Sequence, residues 1–190
     1  MQEIITSRLS LRLMTEDVLI AGLDDNQKKT ESLLGFKISQ DWLDEKDLMN
    51  IRLHDYHTNS EYLPWGLRAI GLKKTNEMVG FIGFHSCPNP EYLQEFAPNS
   101  IEFGYTIFFK HRRQGFAQET ITGLLDWAIK QYPLENFIAS VSPTNLASTA
   151  LIKKLEFKQI GEQIDETDGL ELVYALKVEK ILAQKRQINF

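Results

Sequence analysis

Ile101, Phe103, Tyr105, Ile107 and Phe109 alternate with Glu102, Gly104, Thr106 and Phe108, the period-two pattern of a long strand. A short basic segment follows, Lys110-His111-Arg112-Arg113-Gln114-Gly115. Residues 116–132 then place Ala117, Ile121, Leu124, Leu125, Ala128 and Tyr132 along one stripe of a helix. Phe137–Val141 is a second apolar strand. Strand, helix and strand in this order make a parallel pair joined by a crossover, so the chain must build a sheet with a helix against it.

The remaining pattern adds antiparallel strands. Leu9, Leu11 and Leu13 alternate with Arg8, Ser10 and Arg12, a half-buried strand. Thr15-Glu16-Asp17 opens a helix, and 40–57 reads as a second one. Trp65–Leu72 and Met78–Phe84 form a hairpin across Lys73–Glu77. Residues 86–99 hold three prolines around Tyr92, Leu93 and Phe96, a long loop of the kind that serves as a lid or interaction loop. Leu146–Leu155 is a short helix, and Phe157–Gln163 with Leu170–Val178 make a terminal hairpin turning at Asp165–Gly169. The predicted order is β-α-α-β-β-β-α-β-α-β-β, a mixed sheet with helices on its faces. Lys180–Arg186 reads as a short, solvated basic tail.

A chain of 190 residues, 43% hydrophobic and 25% charged, is sized for one folded domain. Cys87 is alone, so an intrachain disulfide is excluded. The four histidines are scattered; His54 and His57 share a helix end but lack a third ligand, so no metal site is expected. A net charge of −5 leaves at most a local basic patch for nucleic acid. The N-terminus has no basic-then-apolar leader, and no apolar run approaches the roughly 18 residues that span a bilayer. The expectation is a cytoplasmic protein with no membrane partner.

Two turns attract attention. Gly115 and Ala117 are small and stand where a helix opens, so free backbone N–H groups there converge with the helix dipole behind them. This suits a phosphate or pyrophosphate, with Arg112 and Arg113 adding charge. The plain alternative is a strand–helix turn with solvated basic residues. Ser142–Ser148 is the corresponding turn after the next strand, with Asn145 placed as an N-cap accepting from the N–H near Ser148. It lies at the C-terminal end of a strand parallel to the first, where such sheets bind ligands.

Arg112-x-x-Gly115-x-Ala117 resembles the acetyl-coenzyme A motif of the GNAT N-acetyltransferases. Thr6-Ser7-Arg8-Leu9-Ser10-Leu11-Arg12, Glu102-Phe103-Gly104-Tyr105 and Asn145-Leu146-Ala147-Ser148 are similar to its branch of ribosomal-protein alanine acetyltransferases. The resemblance spans about residues 6–178. It implies an α/β, mostly antiparallel twisted sheet with helices on both faces and a splayed parallel pair at the coenzyme site. It implies a single acetyltransferase domain over 1–178 with a tail at 179–190. The implied reaction moves an acetyl group from acetyl-CoA to a primary amine, either a protein N-terminus or a small amine such as a polyamine, aminoglycoside or amino acid. The rival reading is a non-catalytic acyl-CoA-binding module. A homodimer is left open.

On that resemblance the pyrophosphate lies on Arg112, Arg113, Gln114, Gly115, Phe116 and Ala117. The pantetheine arm pairs, strand-like, with Ile107 and Phe109, and Asn145 adds a contact. Glu102 is the implied base, directly or through water, since a largely apolar strand carries a carboxylate at a cost unless it is paired or functional. The alternative is an exposed carboxylate at a strand start. Two departures stand out. Ile152 occupies the position where many relatives carry a general-acid Tyr, which leaves Ser148 as donor to the thiolate. Glu156 replaces a helix-ending Gly, so the helix is expected to end differently. Arg68 alternates with apolar neighbours and is expected to make a cross-strand ion pair.

Overall fold

Leucines 9 and 11 are fully buried because the alternation in this segment turns them to one side of a strand. The computed structural model describes residues 3–165 and 169–188. Two compact units emerge, Met1–Phe84 with Tyr105–Leu124, and His85–Gly104 with Leu125–Phe190.

In the first unit, β1 (Ile4–Ile5) and β2 (Leu9–Leu13) are antiparallel, with Ile4 opposite Leu11. Four helices follow: α1 (Glu16–Leu23), α2 (Gln27–Leu34), α3 (Gln40–Leu43) and α4 (Lys46–Thr58). The single helix expected over 40–57 is broken at Asp44–Glu45, and residues 27–34 form a helix that the sequence pattern does not announce. β3 (Arg68–Leu72) and β4 (Glu77–Phe84) continue the antiparallel run, with Leu11 opposite Ile70 and Ala69 opposite Phe81. β3 starts later than the predicted Trp65 because Pro64 sits in a 3-10 turn over Leu63–Trp65. Trp42 is fully buried and meets Phe81 edge-on at 5.8 Å.

β5 (Ser100–Ile107) runs through both units. The predicted strand reached Phe109, but Phe108 is the last extended residue and Phe109–His111 form a 3-10 turn. α5 (Phe116–Gln131) is the helix expected there. In the second unit β6 (Asn136–Val141) is parallel to β5, with Ser100, Ile101 and Glu102 opposite Asn136, Phe137 and Ile138. The ladder stops at that third pair, although both strands continue. α6 (Leu146–Lys154), β7 (Lys158–Asp165) and β8 (Gly169–Lys177) follow, β8 lying antiparallel to both β6 and β7. The strand order is β1-β2-β3-β4-β5-β6-β8-β7. Residues 166–168 of the expected terminal turn lie outside the described residues.

Two expectations change in the second unit. The 86–99 segment is held down rather than free. It forms a 3-10 turn at Glu91–Leu93, and Leu93 and Ala97 are buried with Ile138 and Val173. Burying one leucine contributes about 2 kcal/mol, which opposes lid-like opening. Residues 178–188 are a helix, α7 (Val178–Ile188), not a solvated tail. Lys185 meets Asp126 of α5 at 2.6 Å, and Gln184 donates to Glu156 at 3.0 Å. Among the described residues no helix is long and apolar enough to cross a membrane.

Candidate functional site

The strand–loop–helix segment of the first unit is built from backbone shape. Arg112 is extended (φ −68°, ψ 164°), and Arg113 and Gly115 both take left-handed φ, 59° and 80°. Alternation of this kind turns successive N–H groups toward one side. The first intrahelical bond of α5 runs from Glu119 N to Gly115 O, so the N–H groups of Phe116, Ala117 and Gln118 precede it and face out of the helix start. Arg112–Gly115 are exposed, whereas the Phe116 side chain is buried; Phe116 can offer only its backbone. These features fit a phosphorylated ligand.

The side chains of this segment are partly committed. Arg112 Nε donates to Ile107 O at 2.9 Å, so one lone pair of the carbonyl assigned to the coenzyme arm is already used. Phe109 is 81% exposed and off the strand, which removes the strand-like pairing expected of it. Its carbonyl instead accepts from Arg112 N at 3.3 Å.

Arg8 is a residue that the sequence reading left without a role. Its Nε donates to Glu119 Oε2 and its backbone N to Glu119 Oε1, both at 2.6 Å, and its Nη1 donates to Gln114 O at 2.9 Å. The Thr6 hydroxyl donates to the same Glu119 at 2.7 Å. Burial pushes the Glu119 carboxyl up, but Thr6 and Arg8 outweigh it and hold it below the usual range. The guanidinium also covers the Phe116 ring at 4.6 Å. Arg8 therefore braces the loop and neutralises the acid in the first turn of α5. Nothing local marks it, because Glu119 is 111 residues away in sequence.

The second unit holds Glu102. It is 3% exposed, which removes the exposed strand-start alternative. Tyr92 donates to its Oε2 at 3.1 Å, and His85 Nδ1 lies 3.6 Å from the same oxygen. Burial alone would raise its pKa. The contacts with His85, Ser140 and Tyr92 together outweigh that and lower it, so the carboxylate is ionised at neutral pH. His85 enters because β4 ends at Phe84 and the next N–H bonds Glu102 O at 2.9 Å. His85 stands 17 residues before Glu102 in the chain, and only the strand register brings it beside the carboxylate.

Asn145 is the N-cap of α6, its Oδ1 accepting from Ser148 N at 3.1 Å. The cap employs the oxygen and not the amide N–H₂ donors. Ser148 lies in the first turn of α6 and belongs, like Glu102, to the second unit. Residues 112–117 belong to the first. Ile152 is fully buried and is a core residue of α6. Glu156 does not divert the helix end as expected. It adopts φ +66°, its N–H bonds Lys153 O, and Phe157 N–H bonds Ile152 O. These two bonds are the paired closure usually built on glycine, and Glu156 bears the strain of about 1 kcal/mol. Arg68 is buried, and its Nη2 donates to Pro64 O at 2.9 Å. His57 meets Glu16 at 2.8 Å, and no group of metal-ligating residues forms among the described residues.

A mixed sheet with one parallel pair and a strand–loop–helix unit opening α5 makes this an α/β protein. More narrowly, the chain belongs to the GNAT family, whose acetyltransferase (GNAT) domain profile matches residues 8–158. The Bacillus subtilis (strain 168) protein named as the uncharacterized N-acetyltransferase YoaA is 31% identical over 97 residues, 51% of this chain and 49% of that protein. The chain thus spans about half the length of the curated relatives it matches. Among solved structures, an acetyltransferase from Salmonella typhimurium that modifies the N-terminal serine of a 50S ribosomal subunit protein superposes with a TM-score of 0.61 at 17% identity, over 93% of this chain and 99% of that one. RimJ of Mycobacterium smegmatis, in complex with CoA-disulfide, superposes with a TM-score of 0.59 at 17% identity, over 91% and 83%. These likenesses extend the GNAT fold to nearly the whole chain.

Proposed function

We propose that this protein transfers an acetyl group from acetyl-CoA to a primary amine, with residues 1–178 working as one acetyltransferase domain and a protein N-terminal amine as acceptor. The observation that carries the reading is β5, a single strand that bears a buried, ionised Glu102 and runs into the loop that opens α5. Acetyl-CoA supplies an activated thioester. The N–H groups from Arg113 to Ala117 hold its pyrophosphate, with Arg8 and Arg112 as nearby cations. Ile107 takes the pantetheine arm through the backbone capacity that Arg112 leaves, and Phe109 contributes its exposed ring rather than a strand contact. Asn145 adds its amide donors from the α6 cap.

An acceptor ammonium with a pKa of about 8–10 must lose a proton before it can attack. The negative charge of Glu102 draws that proton into the site. Ser148, in the first turn of α6, donates to the departing thiolate in place of the Tyr that Ile152 replaces. The acceptor assignment is supported by the fold shared with the Salmonella enzyme, which acts on an N-terminal serine.

Thiol release from acetyl-CoA tests this reading with a panel of free N-terminal peptides, their N-acetylated counterparts, polyamines and aminoglycosides. Release with free N-terminal peptides alone is the expected result. Release with the small amines alone overturns the acceptor. Coenzyme binding by calorimetry without release for any amine makes the protein a binding module.

A further inference from the structure

Glu102 is poorly built to take a proton itself. Its side chain is 4% exposed, one oxygen is held by Tyr92, and the Ser140 hydroxyl and His85 also face it. A carboxylate held below its usual pKa is a weak base toward an ammonium. His85 has the complementary properties. Its side chain is 40% exposed, and its ring extends along β5 from Glu102 to Gly104. Nδ1 faces Glu102, while a Cβ placed on Gly104 would lie 2.6 Å from Nε2. The missing side chain at Gly104 is thus what makes room for the outer nitrogen.

We infer that His85 Nε2 is the group that takes the ammonium proton, and that Glu102 is a positioning residue acting through the imidazole. This rests on the acetyl-transfer reading above. A carboxylate facing Nδ1 keeps the N–H there and leaves the Nε2 lone pair outward. It also stabilises the imidazolium once formed. The step balances: one ammonium proton passes to Nε2 and on to solvent. The freed nitrogen pair forms the C–N bond to the acetyl carbon as the C–S bond breaks. A second N–H proton goes to the departing sulfur, leaving an amide and a free thiol. An imidazole is the side chain most often used as a general base at neutral pH. Glu102 on β5 faces Nδ1 at 3.6 Å, Tyr92 on its 3-10 turn donates to the same carboxylate, and Cys87 follows two residues along the chain.

The test compares the parent with His85→Gln, Glu102→Gln and Gly104→Ala by steady-state kinetics across pH, with calorimetry for acetyl-CoA. His85→Gln should lower kcat by roughly 10²–10⁴-fold, leave acetyl-CoA affinity within about twofold, and abolish the acidic limb of kcat/KM. Added imidazole should partly restore the rate of His85→Gly. Glu102→Gln should keep that limb and lower kcat while leaving KM and acetyl-CoA affinity close to the parent's, because the imidazole loses the carboxylate that faces Nδ1. Gly104→Ala should reduce kcat by displacing the ring without unfolding the chain. A His85→Gln variant within about threefold of an active parent, with the same acidic limb, overturns the inference and returns the base role to Glu102 or water. A parent that releases thiol with no amine overturns the acetyl-transfer reading, and the proton role falls with it.

Discussion

Gly115 has φ +80°, in the region that glycine tolerates and other residues enter at a cost. The nearest atom to a side chain grafted there is Arg8 Nη2, 3.4 Å from the Cβ, so substitution is strained but not blocked. Gly115→Glu should leave the chain folded and weaken acetyl-CoA at least tenfold in calorimetry, because it brings bulk and like charge to the anion-binding turn. Asn145→Asp separates two roles of one side chain. Asp caps as well as Asn, so the thermal midpoint should stay close to the parent's, while loss of the amide donors weakens coenzyme binding. A lower midpoint with normal affinity would make Asn145 a cap alone. Both residues were visible in the sequence because a helix-opening turn is a local pattern. Glu156 was visible too, but its outcome was not. The neighbouring bonds to Ile152 and Lys153 carbonyls close the helix end locally, and it is the burial of Phe157 against Phe103, a tertiary contact, that makes a left-handed residue worth its strain.

Among the elements, α5 was legible from end to end, since its stripe of Ile121, Leu124, Leu125 and Ala128 is buried as the spacing requires. What fastens its first turn was not. Arg8 and Thr6 reach Glu119 across more than a hundred residues, and no periodicity encodes that contact. The clamp makes a prediction about acid. Glu119 titrates below its ordinary value of 4.5 in the folded chain, so its contribution is complete above about pH 4.5 and is lost as pH falls through the lowered folded value. Glu119→Gln should cost about 2 kcal/mol at neutral pH, the scale of hydrogen bonds to a charged group, less what the half-exposed Arg8 loses to solvent screening. Urea midpoints measured from pH 7 to pH 3 should show the gap between parent and variant closing below pH 4.5. A constant gap would mean that the carboxylate is not the source. The end of β5 and α7 failed for a different reason. Alternation at Ile107 and Phe109 fits a strand or a tight turn equally, and a sparse apolar pattern at Val178, Ile181 and Leu182 cannot reveal the Asp126 and Glu156 partners that hold a terminal helix in place.

At the scale of the whole molecule, the mixed sheet was legible because hydrophobic period and the strand–helix–strand order constrain topology strongly. The candidate site was legible only as separate pieces, since Glu102 and His85 become neighbours through register. The same sheet has an unfinished seam. β6 is bonded to β8 as far as Val141, but to β5 only as far as Ile138. Past Ile138, β6 runs on through buried Ala139 and Val141 with its ladder to β8, and in many proteins an open strand edge seeds aggregation. On the proposed reading an amide-bearing pantetheine arm lies along this strand, so the coenzyme would act as a structural guest as well as a reactant. At a hundred times its dissociation constant, mass action alone adds about 2.7 kcal/mol. The thermal midpoint should climb with the logarithm of acetyl-CoA concentration, and light scattering on heating should begin later when the coenzyme is present. A midpoint indifferent to acetyl-CoA would count against the seam as its seat. For a cell holding such a protein, shortage of the acyl donor would then endanger the enzyme's solubility as well as its turnover.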